Sequence, residues 1–270
     1  MSAAGIDIAP EVNYERLEKY LSEGKRYDGR APGQYRELII EKDVSKKAEG
    51  SVRVKLGDTE VMVGVKASLG TPYPDSPAKG NLMVTAEISP LSSSRAELGP
   101  PKFPAIELGR VIDRGIRESN VIDLKDLCLI EGEKVWTIFI DIYAMNDDGD
   151  LMDAAGIGAL AALKVAKLPK YDAKNDKVLY GESEKDMPLT GVNPIAVTVH
   201  RIGENLIVDP NREEEDLSEA RLTVGTSEGI ISSMQKGNAG TFTIEEIEKS
   251  VEMAEKSWKE LFKSMEKQIK

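Results

Sequence analysis

Cysteine and histidine are nearly missing from this 270-residue chain, which has one of each, Cys128 and His200. A single cysteine excludes an internal disulfide and a cysteine-rich zinc site, and any nucleophilic triad that needs histidine would have to rest on His200 alone. Cys128 lies in the apolar stretch LCLI, where a buried structural thiol is expected. His200 lies in the alternating run AVTVHRI, where a strand residue with a satisfied ring is expected. Aromatic residues are only 5% of the chain, too few for recognition of single strands mainly by stacking. Basic residues are outnumbered 47 to 36, and the formal charge of −11 argues against a basic coat for duplex DNA. Local contact with RNA is not excluded by it. No run is apolar enough to span a membrane, and the start MSAAGIDIAPEVNYERLEKY lacks the basic-then-apolar layout of a signal peptide. A cytoplasmic protein is expected.

What is present is a well-punctuated pattern of strands and helices. Val12 to Leu21 reads as a short amphipathic helix ending near Gly24. GSVRVKLGDTEVMVGVKA (Gly50 to Ala67) reads as two alternating strands joined at Gly57-Asp58. NLMVTAEISPL supplies a further strand. Ala105 to Ser119 has helical spacing, with Leu108, Val111, Ile112 and Ile116 on one side and Pro104 in its first turn. A strand from Trp136 to Ala144 leads through an acidic turn into a helix of Ala, Gly, Leu and Ile with almost no polar stripe until Lys164, so burial on most of its surface is expected. LPKYDAKNDKVLYGESEKDMPLTGVNP is polar and turn-rich and reads as a junction between halves. IAVTVHRI, NLIVDP and ARLTVGTSEGIISSMQKG read as three or four strands, two of them joined by Gly203-Glu204-Asn205. Thr243 and Glu246 form a capping box, and the closing helix carries Ile247, Val251, Ala254, Trp258, Leu261 and Met265 at steps of three and four. Two runs of strands, each followed by helix, predict an α+β fold.

The acidic turn is the most informative segment. A helix N-terminus after a Gly-containing turn normally attracts anions, yet this one carries Asp147, Asp148, Asp150 and Asp153. The helix dipole favours a nearby anion by about 0.3–2 kcal/mol, whereas two unit charges about 5 Å apart repel by roughly 3 kcal/mol at an effective dielectric near 20. Repulsion wins, so a phosphate should not dwell there unless a metal or a partner's arginine intervenes. Capping of the helix by Asp150 or Asp153 is the plainer reading of these two, and it removes phosphate binding as well.

The segment Trp136 to Leu168, together with RYDGR (Arg26 to Arg30), Gly50 to Ala67 and AIELGRVIDRGIRES (Ala105 to Ser119), resembles the RNase PH family of phosphorolytic exoribonucleases over most of the chain. Within that family the pattern is most similar to the non-catalytic ring subunit of the archaeal exosome. The resemblance implies an RNase PH-like fold with a βαβα core related to ribosomal protein S5 domain 2, mixed sheets and packed helices. It also implies an N-terminal helix and arm over residues 1–30, a first domain over 31–170, and a second with the C-terminal helix over 190–270.

In active members phosphate is held by a Gly-Thr-Arg-like turn; the resemblance places Asp148, Gly149 and Asp150 there, so a carboxylate stands where a cation belongs. The family's catalytic carboxylates fall within VDPNREEEDLSEARL, with Glu215 at the first aspartate and Arg221 at the second, allowing a slip of one residue across Glu213 to Asp216. A guanidinium neither acts as a general acid nor ligates magnesium. From the residues alone, EEED is either a divalent-metal cluster or a solvated charge run in a turn, the latter being commoner.

Arg110, Arg114 and Arg117 recur at four and three residues and line one helix face. The resemblance implies that Arg110 and Arg114 grip single-stranded RNA entering a partner's active site, with Arg117 on the same face an RNA-binding candidate beside them and Arg95 a weaker one; the bland reading is a stripe paired with Glu107, Asp113 and Glu118. The implied assembly is a trimer of heterodimers with a catalytic RNase PH-like homologue, joined by RNA-binding cap subunits, acting on RNA from the 3′ end without DNA, membrane or a cofactor or metal of its own. Two rivals stay open. One is a self-sufficient phosphorolytic enzyme with a metal site built from Asp147 to Asp153 and Glu213 to Asp216, and the other is a scaffold without RNA contact.

Overall fold

Two antiparallel-rich sheets grip a helix between them in the computed structural model, which describes residues 10–270. The first nine residues of the expected N-terminal arm lie outside the described residues. The chain opens with α1 (Pro10–Ser22) and then lays down β1 (Leu38–Lys42), β2 (Gly50–Leu56), β3 (Thr59–Gly70) and β4 (Asn81–Ile88). Helix α2 (Phe103–Glu118) carries the chain to a short β5 (Cys128–Ile130) and to β6 (Lys134–Asn146). The order across the first sheet is β1-β2-β3-β6-β4, with β5 paired to β6 and with β4 and β6 parallel. The β2–β3 hairpin turns at Gly57 (φ +58°), as the Gly-Asp pair predicts.

Next comes the small-residue helix α3 (Leu151–Val165), buried without interruption from Asp153 to Leu163. It packs on β2 and β3 on one side and on the second sheet on the other. Its glycines explain the closeness. A Cβ at Gly158 would lie 2.7 Å from Val63 Cγ2, and one at Gly156 would lie 3.3 Å from Ala196 Cβ. Full burial of Ile157, Leu160 and Leu163 stabilises the fold by about 1.5–3 kcal/mol apiece. The helix stops at Val165, so Leu168 belongs to the next element.

The polar, turn-rich segment between the two sheets forms a two-stranded hairpin, β7 (Lys167–Asp172) and β8 (Lys177–Asp186), with Leu168, Pro169 and Met187 burying apolar surface at its base. The second sheet follows, formed by β9 (Ile195–Ile202), β10 (Asn205–Val208), β11 (Ala220–Ser227) and β12 (Ile230–Gly237) in the order β10-β9-β11-β12. Helix α5 (Ile244–Ile269) begins with the expected Thr243–Glu246 capping box and presses Ala254, Trp258, Leu261 and Met265 into the core against β9, β11 and β1. Ile247 and Val251 sit at the margin of that stripe. Cys128 is half-buried rather than buried, because the three-residue β5 that holds it lies at the periphery of its sheet.

The EEED run lies in a short helix rather than a turn. Asn211 caps a short helix, α4 (Arg212–Leu217), through a capping box with Glu214. Helical geometry sends its carboxylates in different directions, Glu214 inward and Glu213 and Asp216 outward.

Candidate functional site

The turn between β6 and α3 is held by arginines the sequence leaves unassigned. Gly149 (φ +84°) packs directly on the backbone of the β10–α4 connection, where a Cβ would lie 2.6 Å from Pro210 O and from Asn211 C. The Arg36 guanidinium spans the contact. It donates to both oxygens of the fully buried Asp209 carboxylate, to the carbonyls of Asp148 (2.9 Å) and Gly149 (3.1 Å), and to Asp148 Oδ2 (3.2 Å). Arg30 donates to Asp209 Oδ2 at 2.7 Å, and Arg26 donates from Nε to Glu214 Oε1 at 2.8 Å and from Nη2 to Glu214 Oε2. RYDGR therefore supplies the cations that neutralise the carboxylates beneath the turn.

The charge at the helix start is accordingly different from four bare anions. Asp148 is paired with Arg36, and Asp147 accepts from Arg212 at 3.2 Å. Asp150 stands at the N-cap position with φ +55°, but its side chain makes no capping bond and neither oxygen has a hydrogen-bond partner among the described residues. Burial, reinforced by Asp153 and Asp209, holds its acid well above the usual carboxylate range. Asp153 does not cap either. It points into the interior, accepts from Tyr35 Oη at 2.5 Å and from the Thr198 amide at 3.0 Å, and is raised by burial to about 6. Both expected caps are thus corrected, because the turn enters the helix in a left-handed conformation that carries the Asp150 carboxyl away from the free amides.

Beside the turn lies a cleft of about 1030 Å³. Asp150, Glu215 and Arg221, assigned to functional positions from sequence alone, all line it. Glu215 accepts from the Asp150 amide at 3.2 Å and faces Arg212 at 3.4 Å; burial raises its acid, partly offset by Arg212. Arg221 on β11 stands opposite His200 on β9 and is bound to Glu107 of α2. His200 is buried, and its Nδ1 pairs with Ser218 Oγ at 3.0 Å. Burial first, then the charges of Arg221, Arg26 and Arg212, lower its pKa to about 3, so the ring is neutral at physiological pH. The carboxylates near the cleft do not converge: Glu214 is held by Arg26, Asp216 by Arg95 and Arg212, and Asp147 by Arg212. Among the described residues no group of three or more His, Cys, Asp or Glu is placed to hold a metal ion.

The arginine stripe of α2 divides. Arg117 is committed to Asp113 (2.6 Å) and to the Leu82 carbonyl (3.0 Å), and Arg95 is committed to Asp216. Arg110 and Arg114 are exposed and have no ion pair among the described residues. Glu107, an expected partner of the stripe, has turned to Arg221 instead.

Comparison with known proteins brings these observations to a decision. The model of the 3′ exoribonuclease family (RNase PH) domain 1 matches residues 34–169, and that of domain 2 matches residues 193–257. The chain belongs to the RNase PH family. Similar RNase PH-family proteins include the exosome complex component Rrp42 of Pyrococcus furiosus, 46% identical over 260 residues, covering 95% of this chain and 94% of that protein. Rrp42 of Thermococcus onnurineus is 44% identical over 252 residues and 92% of each chain. Among solved structures, a chain of the Archaeoglobus fulgidus exosome with RNA bound to the active site superposes with a TM-score of 0.86 at 39% identity, covering 95% of this chain and all of that one. A chain of an archaeal exosome core gives 0.84 at 36%, over 96% and 98%. The RNase PH fold expected from the sequence is therefore present.

Proposed function

We propose that this chain is a non-catalytic ring component of an exosome that degrades RNA from the 3′ end, built as a trimer of heterodimers with a catalytic RNase PH-like homologue. The carrying observation is the content of the cleft. At the position assigned to a catalytic aspartate stands Arg221, bound to Glu107, and at the cation position of the phosphate turn stands Asp150, buried with no partner among the described residues. Such a site presents a carboxyl group where phosphate needs a cation and a guanidinium where magnesium needs a carboxylate. The names of the similar proteins, exosome components and exosome cores, support the same reading.

In this reading residues 31–170 and 190–270 are the two RNase PH domains, and residues 1–30 are an N-terminal helix and arm. Arg110 and Arg114 reach toward RNA at the homologue's active site, their charges uncommitted within this chain. RNA-binding cap subunits complete the assembly, and its place is the cytoplasm.

The test is co-expression with the homologue, followed by mass measurement of the intact complex. The expected species is a closed ring of alternating subunits, the form that leaves no heterologous contact surface open. A monodisperse monomer that ignores the homologue at micromolar concentration would remove the ring role.

A further inference from the structure

The outer face of α5 carries a ridge of lysines that packing does not account for. At about 100° per residue, Lys256, Lys259, Lys263, Lys267 and Lys270 fall within a sector of about 80° on the side opposite Ala254, Trp258, Leu261 and Met265, and all five are exposed. Lys42, reaching over from β1, donates to the Ile269 carbonyl at 2.9 Å and the Lys270 carbonyl at 3.2 Å and brings a further ammonium to the end of the helix. In a chain with a formal charge of −11, such a run of positive sign is the exception. No residue of α5 lines the cleft.

Helix physics explains only the end of the row. The macrodipole favours cations within the last turn, which covers Lys267 and Lys270 and leaves Lys256, Lys259 and Lys263. Ion pairing along the helix is the other ordinary reason, and of the five only Lys270 has it, with Glu266 at 2.9 Å, an acid that Lys164 shares at 3.5 Å. Lys256, Lys259, Lys263 and Lys267 have no ion pair among the described residues. Lys263 has Lys259 four residues before it and Lys267 four after, and like charges so placed destabilise a helix. That repulsion is relieved by nothing within the chain.

The form of the ridge selects what covers it. Successive lysines rise by about 4.5–6 Å along the axis, so the charges form a line rather than a pocket. An ammonium is a point charge, without the planar fork that fixes the orientation of a single carboxylate or phosphate. No exposed aromatic stands among the lysines to stack a base, since Trp258 is buried and Phe262 half-buried. Such a surface tracks an extended polyanion by charge, without sequence preference. A membrane surface is disfavoured, because the apolar face of α5 that would enter the headgroup layer is spent on the core.

We infer that the α5 ridge is a second RNA-binding surface of this chain, holding the backbone of single-stranded RNA outside the cleft. That the polyanion is RNA rests on the role proposed above. The ridge and the Arg110–Arg114 stripe sit on different helices, so each can be changed without the other.

The test is the triple variant Lys259→Gln/Lys263→Gln/Lys267→Gln, which removes three charges with a residue of similar helix propensity and relieves the repulsion. In the full chain and in its complex with the catalytic homologue, affinity for a labelled single-stranded RNA of about 30 nucleotides should fall by roughly tenfold or more at about 0.1 M salt, with the log–log salt dependence flattened by roughly 2. The urea midpoint should stay level or rise, which separates lost binding from lost folding. A benzophenone side chain at Glu260, beside the row, should crosslink to the RNA, and one at Glu248, in the acidic first half of the helix, should not. Equal affinity and salt dependence in wild type and variant, or no crosslink at Glu260, would overturn the proposal. So would a variant that keeps its RNA affinity but loses binding to vesicles containing anionic lipid, which would make the ridge a membrane contact. Ring assembly is scored separately by mass, so a ridge without effect leaves the ring role standing, and a failure to assemble leaves RNA binding by the full chain to decide the ridge.

Discussion

Arg36 should be the most costly single residue to lose around the cleft. Its guanidinium is nearly buried and makes hydrogen bonds to Asp209, Asp148, Gly149 and Pro210, joining two turns far apart in sequence. In Arg36→Ala, three carbonyls lose a donor and Asp209, with none of its surface exposed, keeps only Arg30 as a charged partner. Removing one member of a buried pair costs about 3–5 kcal/mol. Arg30 holds part of the Asp209 charge, which places the expected loss toward the lower end, about 3 kcal/mol. Urea unfolding of the full chain reads this directly as a lowered midpoint at constant slope. Hydrogen exchange should quicken first at residues 148–150 and 209–211. The double variant Arg36→Ala/Asp209→Asn supplies the control. If the penalty comes from an unpaired buried charge, the two substitutions should fall short of additivity by about 1–3 kcal/mol. A loss under about 1 kcal/mol in Arg36→Ala, or strict additivity in the double variant, would show that solvent replaces the guanidinium and that the clamp is ornamental.

Gly149→Ala should destabilise by at least about 1–3 kcal/mol from the left-handed backbone alone, with the contact to Pro210 and Asn211 adding to it, as measured by the same unfolding titration. The Asp153 acid is raised to about 6, so between the unfolded pKa near 4 and pH 6 the unfolded state ionises while the folded state keeps its proton, and stability falls as pH rises through that window. Asp153→Asn, whose amide oxygen can still accept from Tyr35 and Thr198, should flatten this slope in unfolding measured from pH 4 to 7; an unchanged slope would remove Asp153 as its source. Arg110→Glu with Arg114→Glu should leave ring assembly intact and weaken RNA binding by the complex, with the log–log salt dependence flattened by roughly 0.7 for each lost phosphate contact. Wild-type degradation at every salt concentration would make the stripe a solvated face.

The parts of the fold legible in the sequence are those written in local pattern. The unbroken small-residue run announced a helix packed between sheets, Gly57-Asp58 announced its hairpin, and Thr243 with Glu246 announced the start of α5. Strands β1 and β5 and helix α4 escaped because 5, 3 and 6 residues carry too little periodicity to stand out. The site was legible in membership but not in electrostatics. Asp150, Glu215 and Arg221 do meet at one cleft, yet nothing local shows that Arg26 neutralises Glu214 across 188 residues or Arg36 neutralises Asp209 across 173. A motif of like charges in sequence became a lattice of opposite charges in space. The one cue was RYDGR itself, two arginines around a Gly-containing turn, whose partners only the folded chain reveals.

The central claim is that the cleft does no chemistry of its own, and phosphorolysis tests it most directly. The full chain, purified from a host lacking any RNase PH-family homologue, is incubated with single-stranded RNA, phosphate and magnesium, alone and after assembly with the catalytic homologue, and release of nucleoside diphosphates is followed. No release is expected from the chain alone or from its Asp150→Arg variant, because Arg221 would still stand at the position assigned to the second carboxylate, while the assembled ring should release diphosphates at a rate lowered by the Arg110 and Arg114 substitutions. Phosphate-dependent release of nucleoside diphosphates by the chain alone, abolished by changing Glu215, would contradict the account.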